Sequence, residues 1–437
     1  MAIIFGLFIC LLLSIHPTSS TSAHDHHRTH SPPKKHAPST SDLIQQACKA
    51  TNYQKLCESS LALHPTRNAT EIVQSALNVS YTTNRKAESM AFGVVWKSQG
   101  IPNRTAAGED CSDYLQYSYY RLRSTLVSLP RGDMKKCRTW TSAALTYQHD
   151  CLTALEIYAK EMKYINETMW FLNTLIGYTS NALSLMMAYD VFGDKTASWK
   201  APKTEREGFW EGSGVSGGIL GIPPWLTNYT DITVCKNTSR CTFKTVQEAV
   251  NAAPDWSNGW RFVIRVMEGV YKETVRIGLQ KRHLVMLGDG MGKTVISGSL
   301  NIARPEQPAY NISTFNPAQP TGFVFQNCTI NGTEEYMKLY NSKPEVHKNF
   351  LGRPWKEFAR TVFIGCNLET LITPQGWMPW KDDFALKTLY YGEINNIGKG
   401  SELSGRVNWS SRIPADHVNV YSIRSFLQSD QWWPKPL

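Results

Sequence analysis

The chain has 437 residues and a formal charge of +10 at pH 7. That length supports two or three domains with real cores. The charge favours anionic partners, and beyond the N-terminus no stretch is long and apolar enough to span a membrane.

Residues Ala2 to Ile15 form a short apolar run, followed by small residues ending at Thr21-Ser22-Ala23. This reads as a secretory signal peptide over 1–23, cut near Ala23. Asn-x-Ser/Thr acceptors fit export; they stand at Asn68, Asn78, Asn103, Asn166, Asn228, Asn237, Asn311, Asn327, Asn331 and Asn408. Loss of Cys10 with the leader leaves an odd number of cysteines, so at least one is unpaired or pairs between chains. Outside the cell an acidic polysaccharide or an anionic membrane surface is the expected partner, not nucleic acid. Residues 24–41 are rich in His, Pro and Ser and are expected to form a disordered arm. Nothing fixes the geometry of His24, His26, His27, His30 and His36, so they are read as a solvated tail and no metal site is expected.

From Asp42 to Val191 the pattern is helical. Leu172, Leu175, Ile176, Thr179, Leu183, Met186 and Met187 recur at helix spacing. Breaks near His64-Pro65, Gly100-Ile101-Pro102 and Pro130-Arg131-Gly132 divide the segment into an antiparallel bundle. Cys48 and Cys57 are close enough in sequence to staple a helical hairpin, Cys111 and Cys151 can tie two long helices, and Cys137 is left over. The Met and aromatic positions are core rather than a cofactor site. Arg131-Gly132-Asp133 spells an adhesion tripeptide but reads as a polar turn.

The order Cys48 to Cys57, Asp110-Cys111, then Thr141-Ser142-Ala143-Ala144-Leu145 leading to Cys151 resembles the plant invertase and pectin methylesterase inhibitor family. The resemblance implies a four-helix bundle opened by a helical hairpin. It also implies disulfides Cys48–Cys57 and Cys111–Cys151, with Cys137 free.

Residues 192–230 shift to Gly and Pro and read as a linker. Lys203 and Arg206 are not adjacent, so the dibasic processing site of related chains is missing. From Asp231 onward short apolar runs alternate with Gly turns: Val263 to Val266, Thr274 to Ile277, Val285 to Leu287 and Thr294 to Ile296. Gly288 to Thr294 imitates a phosphate loop one residue short, and reads as a turn between rungs. The run Thr321 to Ile330 echoes Thr361 to Leu368, aligning Cys328 with Cys366 and Ile330 with Leu368. A recurring short strand is what a stacked parallel β-helix needs. The two cysteines are read as small interior hydrophobes; their pairing, and that of Cys235 and Cys241, stays open.

Leu351-Gly352-Arg353-Pro354-Trp355 is a rigid presentation of one cation. Pro354 biases Arg353 towards extended backbone, and Gly352 permits close approach. A planar guanidinium beside a Trp face suits a sugar carboxylate or an enzyme carboxylate.

This pentapeptide, with Phe243 to Val250, Gly269 to Glu273, Gly288-Asp289-Gly290, Thr294 to Gly298, Phe384 to Leu386, Thr388 to Tyr391, Gly376-Trp377, Trp380 and Arg406-Val407, resembles plant pectin methylesterases. The implied fold is multidomain α + β: an N-terminal four-helix bundle over 42–191 and a C-terminal right-handed parallel β-helix over 231–437. The implied reaction is hydrolysis of methyl esters on homogalacturonan in the cell wall, without metal or organic cofactor. In that family one aspartate attacks the ester and a second serves as acid and base, while glutamines steady the oxyanion. The family Arg holds the nucleophilic carboxylate and the Trp contacts the sugar, roles that fall here on Arg353 and Trp355.

The aspartates themselves are absent. Neither Tyr-Gln-Asp-Thr-Leu nor Asp-Phe-Ile-Phe-Gly occurs in the sequence. Ser297 to Asn301 runs almost directly into Arg304-Pro305-Glu306-Gln307, so the β-helix is shortened by a block near 300–305, as a skipped exon would leave it. Asp231, Asp255, Asp289, Asp382, Asp383, Asp416 and Asp430 stand in no catalytic context, and a Ser297, His283, Asp289 triad has no supporting spacing. Removing rungs forces two non-neighbouring rungs to stack; where they mismatch, apolar faces are exposed and Arg353 loses its carboxylate. The expected partners are pectin, through Arg353, Trp355, Trp377 and Trp380, and another pectinesterase through the bundle.

Overall fold

The computed structural model describes residues 39–64, 66–160, 162–211, 229–236, 241–257, 261–278, 280–281, 284–290, 293–297 and 314–426. The leader, nearly all of the His-rich arm, the glycine-rich part of the linker and the junction near 300–305 lie outside them.

Helices α1 (Thr40–Cys48) and α2 (Gln54–Leu61) form the expected hairpin, joined by the Cys48–Cys57 disulfide. Four long helices follow: α3 (Ala69–Lys97), α4 (Pro102–Ser128), α5 (Met134–Glu156) and α6 (Lys163–Phe192). α3 packs on α4 and α6, and α5 packs on α4 and α6, which closes a four-helix bundle. The predicted stripe on α6, Leu172 through Met187, is buried throughout. Cys111–Cys151 ties α4 to α5, and Cys137 is free and buried. Gly132, with φ 74°, ends a short 3-10 turn and Asp133 precedes α5, so Arg131-Gly132-Asp133 is a turn.

A buried polar layer crosses the bundle. Asn84 donates to the Leu115 carbonyl, the Ser118 hydroxyl donates to Asn84 Oδ1, and Gln148 donates to Ser118 Oγ. Buried polar groups that find partners in this way fix one helix register.

The linker is not free where it is described. Trp199 is buried against the bundle, its indole nitrogen donating to the Gly193 carbonyl. Trp210 stacks on His417 at 4.3 Å and meets Tyr390 and Tyr421 edge-on. Glu211 pairs with buried Arg138 of α5, and Glu205 with buried Arg360. Burial alone would raise the Glu211 carboxyl, but Arg138 outweighs it and holds it below the usual carboxylate range. Two indoles and two carboxylates thus make this segment a strap.

Among the described residues all strand pairings after Asp231 are parallel, as in the coils of a β-helix. The first stack holds β1 (Ile232–Val234), β2 (Phe262–Val266), β3 (Gly269–Lys272), β4 (Leu284–Gly288) and β5 (Thr294–Ser297), ordered β1-β2-β4 and β3-β5. Helix α7 (Val246–Ala252) covers its interior with Val246, Ala249 and Val250. The turn from β4 to β5 is held by Asp289, which accepts from Arg265 and the Glu268 amide, so this phosphate-loop imitation is structural. Cys235 and Cys241 are disulfide-bonded just after β1.

The second stack holds β6 (Phe323–Gln326), β7 (Thr329–Ile330), helix α8 (Glu334–Ser342), β8 (Arg360–Ile364), β9 (Asn367–Leu368), β10 (Tyr390–Ile394) and β11 (Ser411–Arg412). Its order is β11-β10-β8-β6, with β7 beside β9. The sequence echo is the rung register itself: Ile330 pairs with Leu368, and Phe325 with Phe363, whose rings stack at 4.5 Å. Asn327, Gly365 and Asn395 occupy the same bend of successive rungs with φ 54°, 62° and 53°. Gly adopts that left-handed backbone without strain, and Asn more readily than most other residues. Cys328 is half-buried and Cys366 buried, both free, as small interior residues.

Among the described residues no ladder joins β4 to β6, and the two stacks have separate apolar interiors. Met286, Val295 and Ile296 are exposed at the last rung of the first stack, and Phe323 at the first rung of the second.

The segment Thr314 to Thr321, entering the second stack, lies against the bundle. Asn316 donates to Ser180 Oγ and Ser184 Oγ of α6, and Gln319 donates to Ser142 Oγ of α5. Ala318 completes an apolar patch with Leu145, Ile176 and Leu183. The Phe315 ring stacks on His149 at 3.4 Å. Burial, with the Lys356 ammonium nearby, pushes the His149 imidazole down to about 3.

Candidate functional site

The site forms where Leu351 to Trp355 runs beside Gly376 to Trp380. Leu351 donates its amide to the Gly376 carbonyl and Met378 donates to the Gly352 carbonyl. Gly352 lies against the Trp377 ring, where a Cβ would make an ordinary contact at 3.4 Å, so the indole does not itself demand glycine. Trp377 is buried, and its indole nitrogen donates to Glu393 Oε1.

Glu393 in turn takes a bidentate pair from Arg406, Nε at 2.8 Å and Nη2 at 3.0 Å. Arg406 also donates to the Thr373, Pro374 and Gly400 carbonyls. A buried pair so fully hydrogen-bonded is a brace rather than a reactive group. Sequence reasoning quoted Arg406 only as part of a resemblance and missed Glu393. Its signal was an acidic residue inside the β-strand pattern, where burial demands a partner.

Arg353 Nη2 donates to the Pro379 carbonyl at 3.1 Å and the Trp380 carbonyl at 2.7 Å. Its guanidinium lies 4.6 Å from the Trp380 ring centroid, a cation–π contact. Among the described residues no carboxylate meets it, and its buried Nε has no partner. The Trp face beside the cation is therefore Trp380, and Trp355 adds a second indole 5.0 Å from Trp380. Trp355 is 59% exposed and Trp380 43% exposed, so both offer ring faces to solvent. Trp377, grouped with them from sequence, is instead internal.

A cavity of about 330 Å³ opens between these residues and the rung end, lined by Phe323, Phe325, Arg353, Trp355, Lys356 and Tyr391. It combines aromatic faces with Arg353, Lys356 and the Glu205-paired Arg360, an arrangement that suits a ring-shaped, negatively charged ligand. Three of the candidate substitutes for a reacting acid are engaged elsewhere, whereas Asp382 and Asp383 are exposed just after Trp380. Asp231 accepts from the Val263 amide, Asp255 pairs with Lys281, and Asp289 holds its turn. His283 and Asp430 lie outside the described residues. Among the described residues no cluster of His, Cys, Asp or Glu could hold a metal, and no helix is long and apolar enough to cross a membrane.

Comparison with known proteins gives both halves relatives. A family model described as plant invertase/pectin methylesterase inhibitor matches residues 42–185 without a break. A model described as Pectinesterase matches in two pieces, 231–318 and 313–430. Probable pectinesterase/pectinesterase inhibitor 64 of Arabidopsis thaliana is 39% identical over 508 aligned positions, covering 89% of this chain and 84% of that protein. The alignment is longer than the chain, so part of the relative faces no residue here. Among solved structures, pectin methylesterase from carrot is 24% identical, with TM-score 0.37, over 48% of this chain and 98% of its own. A pectin methylesterase inhibitor from Arabidopsis, mutant form A, is 17% identical, with TM-score 0.29, over 32% and 92% respectively. With a bundle matched by one model, parallel coils matched by the other, and a relative this similar along most of both chains, the protein belongs to the pectinesterase family, in the form that carries an N-terminal inhibitor-like domain.

Proposed function

We propose that this is a secreted cell-wall protein that binds homogalacturonan at Arg353, Trp355 and Trp380 without hydrolysing it at an appreciable rate. The family reaction is pectin plus water to pectate plus methanol, and it needs a carboxylate nucleophile and a carboxyl acid–base group. The observation that carries the reading is the Arg353 guanidinium spent on two backbone carbonyls, where the family pattern requires a carboxylate. The missing aspartate stretches and the two-piece match to the Pectinesterase model support it. We divide the chain into leader 1–23, arm 24–41, inhibitor-like bundle 42–191, connecting segment 192–230 and shortened β-helix 231–437. The test is methanol release from methyl-esterified pectin by purified mature chain. Release no greater than that of Arg353→Ala supports the reading, and turnover clearly above that variant rejects it. Retention on pectin that weakens with salt and with Trp355→Ala checks the binding half.

A second reading gives the bundle an inhibitory role towards another pectinesterase, and the unbroken match over 42–185 favours it. Adding the full chain to an active pectinesterase tests it; no slowing at micromolar excess rejects it.

A further inference from the structure

On the bundle, away from the site above, α3 and α6 enclose a groove of about 530 Å³ lined by Lys86, Met90, Lys163, Asn166, Trp170 and Phe171. That volume falls within the range of about 300–1,000 Å³ typical of small-ligand clefts. The Trp170 indole on its wall is 72% exposed. Phe171 is half-buried under the Lys86 ammonium, 5.1 Å from the ring centroid. A large apolar face left open, rimmed by Lys86 and the Lys163–Glu167 ion pair, marks a contact surface.

The sequence supplies an occupant. Asn166-Glu167-Thr168 is an N-glycosylation acceptor, and Asn166 lines the groove. Trp170 stands four residues on, one helical turn away on the same face. The Asn166 amide is exposed, and its backbone alone is hydrogen-bonded, to Met162. Asn68 differs: its side chain caps α3, accepting from the Glu71 amide and donating to the Glu71 carboxylate.

We propose that Asn166 carries an N-linked glycan whose first sugar lies in this groove against Trp170. The inference rests on the secretory reading above, because the glycan donor is a lipid-linked oligosaccharide diphosphate of the secretory pathway. The bond formed joins Asn166 Nδ2 to the anomeric carbon of the first N-acetylhexosamine. The bond broken is the one from that carbon to the diphosphate, which departs as the lipid diphosphate, while the amide proton passes to base. A pyranose presents one face of C–H bonds that packs on an indole, and its hydroxyls lie within reach of Lys86 and Lys163. The Thr168 hydroxyl is buried and donates to the Tyr164 carbonyl, so the acceptor is usable only before α6 folds.

The experiment expresses the full chain in a eukaryotic secretory host and maps glycopeptides before and after peptide-N-glycosidase treatment. The proposal expects a glycan on the peptide following Lys163, a mass loss of one glycan in Asn166→Gln, and increased acrylamide quenching after deglycosylation that Trp170→Phe abolishes. Glycans at other acceptors with Asn166 bare overturn it while leaving export intact. No glycan at any acceptor overturns both. A glycan on Asn166 whose removal leaves quenching unchanged overturns the placement against Trp170.

Discussion

Glu393→Ala tests whether the Arg353 site rests on a buried brace. Glu393 and Arg406 have side chains only 2% and 4% exposed. The substitution leaves a buried guanidinium with carbonyl partners alone, and leaves the Trp377 indole N–H without its acceptor. An uncompensated buried charge costs about 3–5 kcal/mol, and an orphaned donor about 1–3 kcal/mol. The two share one site and do not add, so the expected loss is about 4 kcal/mol for the second stack. The assay is a urea titration read by hydrogen exchange at the β10 amides. Glu393→Ala with Arg406→Leu is expected to lose less than Glu393→Ala alone, since no charge is then stranded. A single-variant loss below about 1 kcal/mol, or a double variant worse than the single, refutes the brace.

Other consequences are open to measurement. The folded His149 imidazole titrates near 3, below its ordinary 6.5. Below 6.5 the unfolded chain therefore takes up a proton that the folded chain refuses. That contribution is full above pH 6.5 and declines as pH falls towards 3, at up to about 1.4 kcal/mol per pH unit. His149→Phe keeps the stack on Phe315, and should flatten the acid limb of a stability–pH curve; an unchanged slope contradicts the assignment. Gln319→Ala strips the Phe315 and Asn316 amides of their acceptor and should cost about 1–3 kcal/mol by thermal unfolding. Met286→Lys and Phe323→Lys replace exposed side chains at the two open rung ends. They should lower hydrophobic-dye binding and shift stability by no more than about 0.5 kcal/mol; a loss of several kcal/mol would mean that the rung ends are covered.

Legibility followed the range of the interactions. The α6 stripe and the Phe325–Phe363 rung echo are periodic, so local spacing reveals them. The bends at Asn327, Gly365 and Asn395 were not read from the sequence, although Asn or Gly at one register of successive rungs is the local signal of a left-handed backbone. Local pattern could not tell that Arg353 faces Trp380, 27 residues on, rather than Trp355. Nor could it pair Glu393 with Arg406, or show that Trp199 packs into the bundle and Trp210 onto the second stack. Each of these depends on which rungs become neighbours. Arg353 reaches the Pro379 and Trp380 carbonyls, contacts that the spacing within the pentapeptide does not announce.

The central claim is that the mount persists without its acid. The most direct measurement compares methanol release from esterified pectin by this chain and by a chimera. The chimera carries, between Ser297 and Thr314, the stretch of the 39% identical relative that has no counterpart here. The account predicts turnover in the chimera, its loss on Arg353→Ala, and a background rate for the chain as it stands. Comparable turnover by the unaltered chain would contradict it.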